Sequence, residues 1–419
     1  MATMMEWIGT GLFALAVLHT FSTKFFDHLS HVRPQHAGVF HLLGEVEVVF
    51  GLWAMVLFGV FVALQGKPAA LQYVEGLNFT EPLFVFAIMV VAASRAVLQV
   101  SRALVSLLAR VLPLPRASAY FCVTLSLVPL LGSFITEPAA MTLAALILRD
   151  GYYSQAISSR LKYAALGVLF VNISIGGTLT PFAAPPVLMV AGVWGWDIFY
   201  MISQFGWKAA LAVVVNAGCA MLLFRNEVGH MANRTSGDGA EDPVPLGVIG
   251  VHLLFLLGVV VFAHHPEVFL GLFLFFLGFA TAYERYQDRL ILREALLVAF
   301  FLAGLVVLGG QQQWWLQPLL MGMDATTVFF GATALTALTD NAALTYLGSL
   351  VPGLSEEFKV ALVAGAVTGG GLTVIANAPN PAGVAILRPK FEDGAIHPLG
   401  LLVAALPPTA VAVLAFQLL

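Results

Sequence analysis

Along most of this chain, apolar residues run on for about 20 positions before a charge or a turn interrupts them, the length at which a helix crosses a bilayer. The pattern predicts spans at 4–21, 37–64, 82–111, 161–192, 204–224, 246–264, 267–284, 290–309, 359–387 and 398–418. Two other apolar stretches, 118–149 and 325–351, are too long for one crossing and too short for two crossings with a turn. Each has polar, helix-breaking residues at its middle: Gly132, Ser133, Thr136, Glu137 and Pro138 in the first, Thr339, Asp340 and Asn341 in the second. Both read as re-entrant helical hairpins that dip to mid-membrane and return to the side they came from.

Two of the spans are themselves interrupted. Gly176, Gly177 and Thr178, followed by Pro181, Pro185 and Pro186, break 161–192, while Gly369, Gly370, Gly371, Pro379 and Pro381 break 359–387. Proline removes a backbone donor and glycine weakens a helix, so carbonyls are freed at these places. Non-helical backbone at membrane depth must line a cavity or be buried in protein.

The two halves carry related motifs. Residues 136–142, from Thr136 and Glu137 to Thr142, match 339–345, from Thr339 and Asp340 to Thr345; 176–180 matches 369–373. Each half then holds three spans, a hairpin and two spans. Five crossings is an odd number, so the second half is inserted upside down relative to the first. The expected architecture is an all-α polytopic membrane protein of about ten transmembrane helices and two re-entrant hairpins in two inverted repeats, 1–224 and 246–419. A polar linker, 225–245, joins them on the cytoplasmic side.

Composition agrees with this reading. Of 419 residues, 60% are hydrophobic and 10% charged, and mean hydropathy is +0.92; soluble domains are about a quarter charged. The long runs differ from the short alternating segments of a β-barrel. A net charge of −4 gives no sign of nucleic-acid binding. Cys122 and Cys219 lie in apolar runs and read as buried thiols rather than a disulfide or metal pair. The start, MATMMEWIG, has no basic segment of the kind that opens a cleavable signal peptide, so the first run reads as a true span.

Basic residues set the orientation. With both termini outside, fourteen of the nineteen fall in cytoplasmic loops or at cytoplasmic span ends and two, Lys67 and Lys359, fall on the outer side, the bias expected of an inner-membrane protein. Arg95, Arg102 and Lys208 fall within spans. A full crossing by either hairpin would flip the later loops and destroy the bias.

The candidate chemistry sits at the hairpin tips. Glu137 and Asp340 occupy matching positions, and the pseudo-twofold should bring them together. A carboxylate in hydrocarbon is tolerated only when a proton or a cation neutralises it, and it cannot hold both at once. Thr136, Thr178, Thr180, Thr339, Asn341, Thr373, Asn377 and Asn380 offer the hydroxyl and amide oxygens a hard cation such as Na+ needs; each could also simply cap a half-helix. No resident cofactor is implied, only transported Na+ and H+. Lys208 and Arg95 are possible charge partners for the acids, as are Glu45 and His41, which are four residues apart on one face of the second span. Arg102 shares a helix face with Arg95. Lys208 could instead snorkel to the outer interface. His28, His31 and His36 lack tight ligand spacing and read as an interfacial loop. Trp194, Trp196, Trp314 and Trp315 read as interfacial anchors at outer span ends.

The segments 176–197 (GGTLTPFAAPPVLMVAGVWGWD), 338–352 (LTDNAALTYLGSLVP) and 371–387 (GLTVIANAPNPAGVAIL) resemble a bacterial family named for sodium/proton antiport, over nearly the whole chain. More distantly the plan resembles the ion-transporter superfamily, with its divalent-anion/sodium symporters and arsenite permeases. That resemblance implies inverted repeats with re-entrant hairpins, a homodimer in the membrane lipid, and an elevator-like shift of a transport part against a scaffold. The symporters carry Ser-Asn-Thr at their tips, where this chain has acids that would repel an anion. The expected function is therefore Na+ or Li+ exchange for H+, with Na+ at Glu137 and Asp340. The alternative is a sodium- or proton-coupled carrier of an organic or inorganic anion, which needs a basic residue at the site. An enzyme is not expected, for lack of a zinc-protease motif or a nucleophile–base pair. A channel fits poorly with hairpins opening to opposite faces.

Overall fold

The computed structural model describes residues 3–229, 231 and 243–419, and all of the regular structure among these residues is helical. Among the described residues, seven helices are long and apolar enough to cross a membrane, or eight if the bent pair Lys67–Glu75 and Thr80–Ala92, which meet at 59°, forms one span. The protein is a multi-pass membrane protein. The expected spans 246–264 and 267–284 are helices of 16 and 17 residues, Leu246–Val261 and Pro266–Ala282, about 24 and 26 Å long at 1.5 Å per residue. The linker expected at 225–245 begins with the short helix Arg225–Gly229; residues 230 and 232–242, Arg234 among them, lie outside the described residues.

Two expected spans are divided. The stretch 82–111 is not one helix: Thr80–Ala92 ends before Ser94, and Arg95–Val111 begins there. The physical reason is readable afterwards. Arg95, Gln99, Arg102 and Arg110 recur on one face of Arg95–Val111, while Leu104, Leu107 and Val111 expose the other. Such a helix lies in an interface rather than crossing it. The stretch 37–64 likewise breaks at Glu45, between Ala37–Gly44 and Val46–Gln65. Cys122 and Cys219 are free thiols, but only Cys122 is partly buried; Cys219 lies on an exposed face. In a membrane helix the lipid-facing side is as apolar as the core, so hydropathy alone could not separate the two.

The helices gather around distinct cores. Phe50, Phe84, Phe269, Phe276 and Phe301 centre one core, drawn from Val46–Gln65, Thr80–Ala92, Pro266–Ala282 and Leu292–Gly309. Phe121, Met141, Leu143 and Phe170 centre another, drawn from Arg116–Ile135, Glu137–Leu148 and Ser159–Gly176. The arms Arg116–Ile135 and Glu137–Leu148 fold back on each other at Thr136, so that Gly132 faces Ala140. The second pair, Ala325–Thr336 and Asn341–Ser349, turns at 337–340.

Both interrupted spans are broken where the glycines and prolines stand. Ser159–Gly176 stops, the 3-10 turn Gly177–Leu179 and irregular chain follow, and Pro185–Trp194 resumes; Glu356–Gly369 stops, and Asn380–Leu387 resumes. The resumed pieces exchange partners. Pro185–Trp194 packs on Asn341–Ser349, and Asn380–Leu387 packs on Glu137–Leu148. The second break packs closely on the helix that leads into the first: a Cβ on Gly371 would collide with the backbone of Val171. Pro129 inside Arg116–Ile135 cannot donate to the Leu125 carbonyl, and Asn172 Nδ2 does so instead at 2.8 Å. Asn172 also donates to the Val213 carbonyl and accepts from Asn216, which binds the Pro408 carbonyl, tying four helices together.

Candidate functional site

Glu137 opens the second arm of the first hairpin and is completely buried. Thr136 places it there by adopting φ 70° and ψ 151°, a conformation nearly confined to glycine. Gly177 backs directly onto the Glu137 carboxyl; a Cβ there would overlap it. Oε2 accepts a hydrogen bond from Asn377 Nδ2 at 2.8 Å, while Oε1 has no hydrogen-bond partner. A carboxyl of the first half is thus held by the break of the second.

The hydroxyls around the first tip are aimed by the backbone. Thr180 Oγ1 donates to the Ser133 carbonyl at 2.5 Å, and Thr178 Oγ1 donates to the Ile175 carbonyl at 2.7 Å. Ser133 Oγ donates to the Gly176 carbonyl and accepts from the Leu179 N–H, 2.8 and 2.9 Å away. A hydroxyl that donates to a carbonyl keeps its own lone pairs for a cation.

The second tip is built differently. Asp340 is the N-cap of Asn341–Ser349, its Oδ1 accepting from the N–H groups of Ala342 and Ala343 at 2.8 and 3.2 Å. It is half-buried and lines a cavity of about 90 Å3 with Thr339, Phe13, Val17, Phe50 and Phe301, against the first core. Asp340 lies within electrostatic reach of Glu137, and Glu47 within that of Asp340. Thr339 Oγ1 donates to the Leu335 carbonyl and Thr373 Oγ1 to the Ala337 carbonyl, at 3.0 and 2.9 Å. The Asn341 N–H donates to the Ala376 carbonyl at 3.1 Å, and Asn380 Nδ2 reaches the carbonyls of Gly370 and Thr373 at 2.8 Å each.

One property unites the site. Asn341, Asn377 and Asn380 each spend their amide N–H2 as a donor and leave Oδ1 buried without a partner. Glu137 Oε1 and the hydroxyls of Thr136, Thr336 and Thr368 are also buried without partners. Buried acceptors without donors are costly, and a cation, a proton or a buried water satisfies them. The arrangement can therefore bind a hard cation through carboxylate, amide and hydroxyl oxygens, or take a proton on the carboxyl in its place.

The expected charge partners lie elsewhere. Glu45 is taken by Arg293 at 2.6 Å, with His41 at 3.5 Å. The His41–Glu45 pair is therefore not a buried one on a continuous span: His41 is 61% exposed and the helix breaks at Glu45. Arg95 approaches Asp288 at 3.9 Å. Lys208 lines a cavity of about 490 Å3 with Glu356 and Glu357, away from both tips. Ser133, Ser174, Thr336 and Thr368 escaped the sequence reading as site residues. Ser133 had a signal, standing beside Gly132 at a predicted break, and so had Thr336, three residues before Thr339; Thr368 had none, being the single hydroxyl of Glu356–Gly369.

No curated protein matches the chain. Residues 4–419, nearly the whole chain, match the family described as "Putative Na+/H+ antiporter", and the chain belongs to that family.

Proposed function

We propose that the protein exchanges Na+ or Li+ for H+ across the inner membrane, with Glu137 holding either the proton or the cation in turn. The observation that carries this is the Glu137 cluster: a fully buried carboxyl with one oxygen unpartnered, beside unpartnered amide and hydroxyl oxygens. Thr136, Asn377, Thr178 and Thr180 complete the first half of the site; Asp340, Thr339, Asn341, Thr373 and Asn380 form the second. A single carboxyl that accepts either ion couples their movements, because one must leave before the other binds.

The motion in this reading is an elevator-like shift of the hairpins and broken helices against the first core. The exchange of partners between Pro185–Trp194 and Asn380–Leu387, which is the relation inverted repeats would produce, supports it. A homodimer with both termini outside belongs to the same reading and rests on the resemblance and on the placement of basic residues. The anion-carrier alternative lacks a base: among the described residues no Lys, Arg or His forms an ion pair with Glu137 or Asp340.

The test is purified protein in liposomes with an internal pH-sensitive dye and an imposed pH gradient. Na+ or Li+ should collapse the gradient, and Glu137→Gln should abolish the collapse. Collapse that survives both Glu137→Gln and Asp340→Asn would move the site elsewhere. Silence towards every cation would sink the antiport reading and return attention to anions.

A further inference from the structure

A cavity of about 460 Å3 opens beside the first break, away from both hairpin tips. It lies where Thr80–Ala92 begins and where Pro185–Trp194 and Leu246–Val261 end. Its inner wall includes Pro181 and Phe182, which directly follow Thr180, the residue bonded to the first hairpin through the Ser133 carbonyl. Its titratable lining residues are Glu81, Asp197 and His264. Phe84 and Phe182 close it towards the core.

Gly192 brings these groups together. A Cβ at Gly192 would stand 3.4 Å from the His264 ring and 3.6 Å from Glu81 Oε1. Any larger residue would fill the space between them. Glu81 is half-buried and has no ion-pair partner among the described residues. Asp197 commits one oxygen to the Tyr200 N–H at 2.7 Å and caps Ile198–Met201. Carboxylates on low-dielectric walls focus their field into the space between them and concentrate cations there.

We propose that this cavity is the vestibule through which cations move between the face that bears Glu81 and His264 and the Glu137 site, with Glu81 the carboxylate that gathers them. By the distribution of basic residues this is the outer face. Phe84 and Phe182 line the vestibule, and Glu137 is itself sealed from solvent. This inference rests on the antiport reading and adds a residue that acts on substrate access from one side only.

The experiment compares wild-type protein with Glu81→Gln and Glu81→Asp in right-side-out and inside-out membrane vesicles, following Na+-driven H+ movement. In Glu81→Gln the KM for Na+ offered at the outer face should rise about tenfold. Its maximal rate should stay within about twofold, and the KM at the inner face should not change; Glu81→Asp should restore the wild-type KM. An unchanged outer KM, an equal change at both faces, or a loss of maximal rate alone would overturn the proposal while wild-type exchange persists. A wild type that exchanges no cation would instead overturn the antiport reading itself.

Discussion

Asn377 donates its side-chain amide to Glu137 Oε2 at 2.8 Å, joining residues 240 positions apart in the chain. Removing the amide leaves a fully buried carboxyl with neither oxygen partnered. Asn377→Ala should lower stability by about 1–3 kcal/mol and abolish exchange. Glu137→Gln should abolish exchange while leaving the thermal midpoint within a few degrees. Its carbonyl can accept from Asn377, and its own N–H2 can donate to the unpartnered oxygens nearby. Thermal unfolding in detergent beside the liposome assay separates the two variants.

Thr136 turns the first hairpin at φ 70°, where a β-branched residue is strained. Glycine removes that strain, which is worth about 1–3 kcal/mol. Thr136→Gly should therefore raise the unfolding midpoint, and it should weaken Na+ binding because the buried hydroxyl is gone. A variant that is stabler and keeps its Na+ KM would show that Thr136 takes no part in the site.

The Gly177 backbone has no room for a methyl beside the Glu137 carboxyl. Gly177→Ala should displace that carboxyl and slow exchange by about 100-fold, the scale at which a 1 Å misplacement acts. The shorter acid in Glu137→Asp should recover part of the rate when combined with Gly177→Ala. A double-mutant cycle of initial rates tests this coupling, and additive losses would contradict it.

Asn172 satisfies the Leu125 carbonyl that Pro129 leaves without a helical donor. Asn172→Leu keeps the side-chain size but orphans that carbonyl. The expected cost is about 1–3 kcal/mol, read as a lower unfolding midpoint, with the KM for Na+ unchanged.

Asp324 caps Ala325–Thr336 from outside the hairpin. The backbone N–H of Thr327, followed by the Thr327 hydroxyl, holds its carboxyl below the usual aspartate range. A depressed folded-state value means that the cap stabilises the protein above the unfolded pKa of about 3.9, and that this contribution fades as pH falls through the folded value. Asp324→Ala should therefore be less stable than wild type at pH 7, and the gap should close in acid. A gap independent of pH would show that the charge of the cap does not matter.

The sequence by itself determined the class of protein and the sites of its breaks. Runs of about 20 apolar residues leave few soluble alternatives. Glycine and proline stop helices through their own backbones, so the interruptions at 177–184 and 370–379 were legible without any tertiary contact. The acids at 137 and 340 stood out because charge is rare in such a chain. The tertiary structure alone decided which side chains meet. The chain breaks at Ser94 inside an apolar run, a break that the folded structure placed although the polar face of Arg95–Val111 was already written in the sequence. The two acids read alike in sequence, yet Glu137 is enclosed by Asn377 and Gly177 while Asp340 caps a helix at the wall of the first core. Burial, hydrogen-bond partners and the solvation of a carboxyl depend on neighbours hundreds of residues away, and no local pattern of hydrophobic and polar positions encodes them.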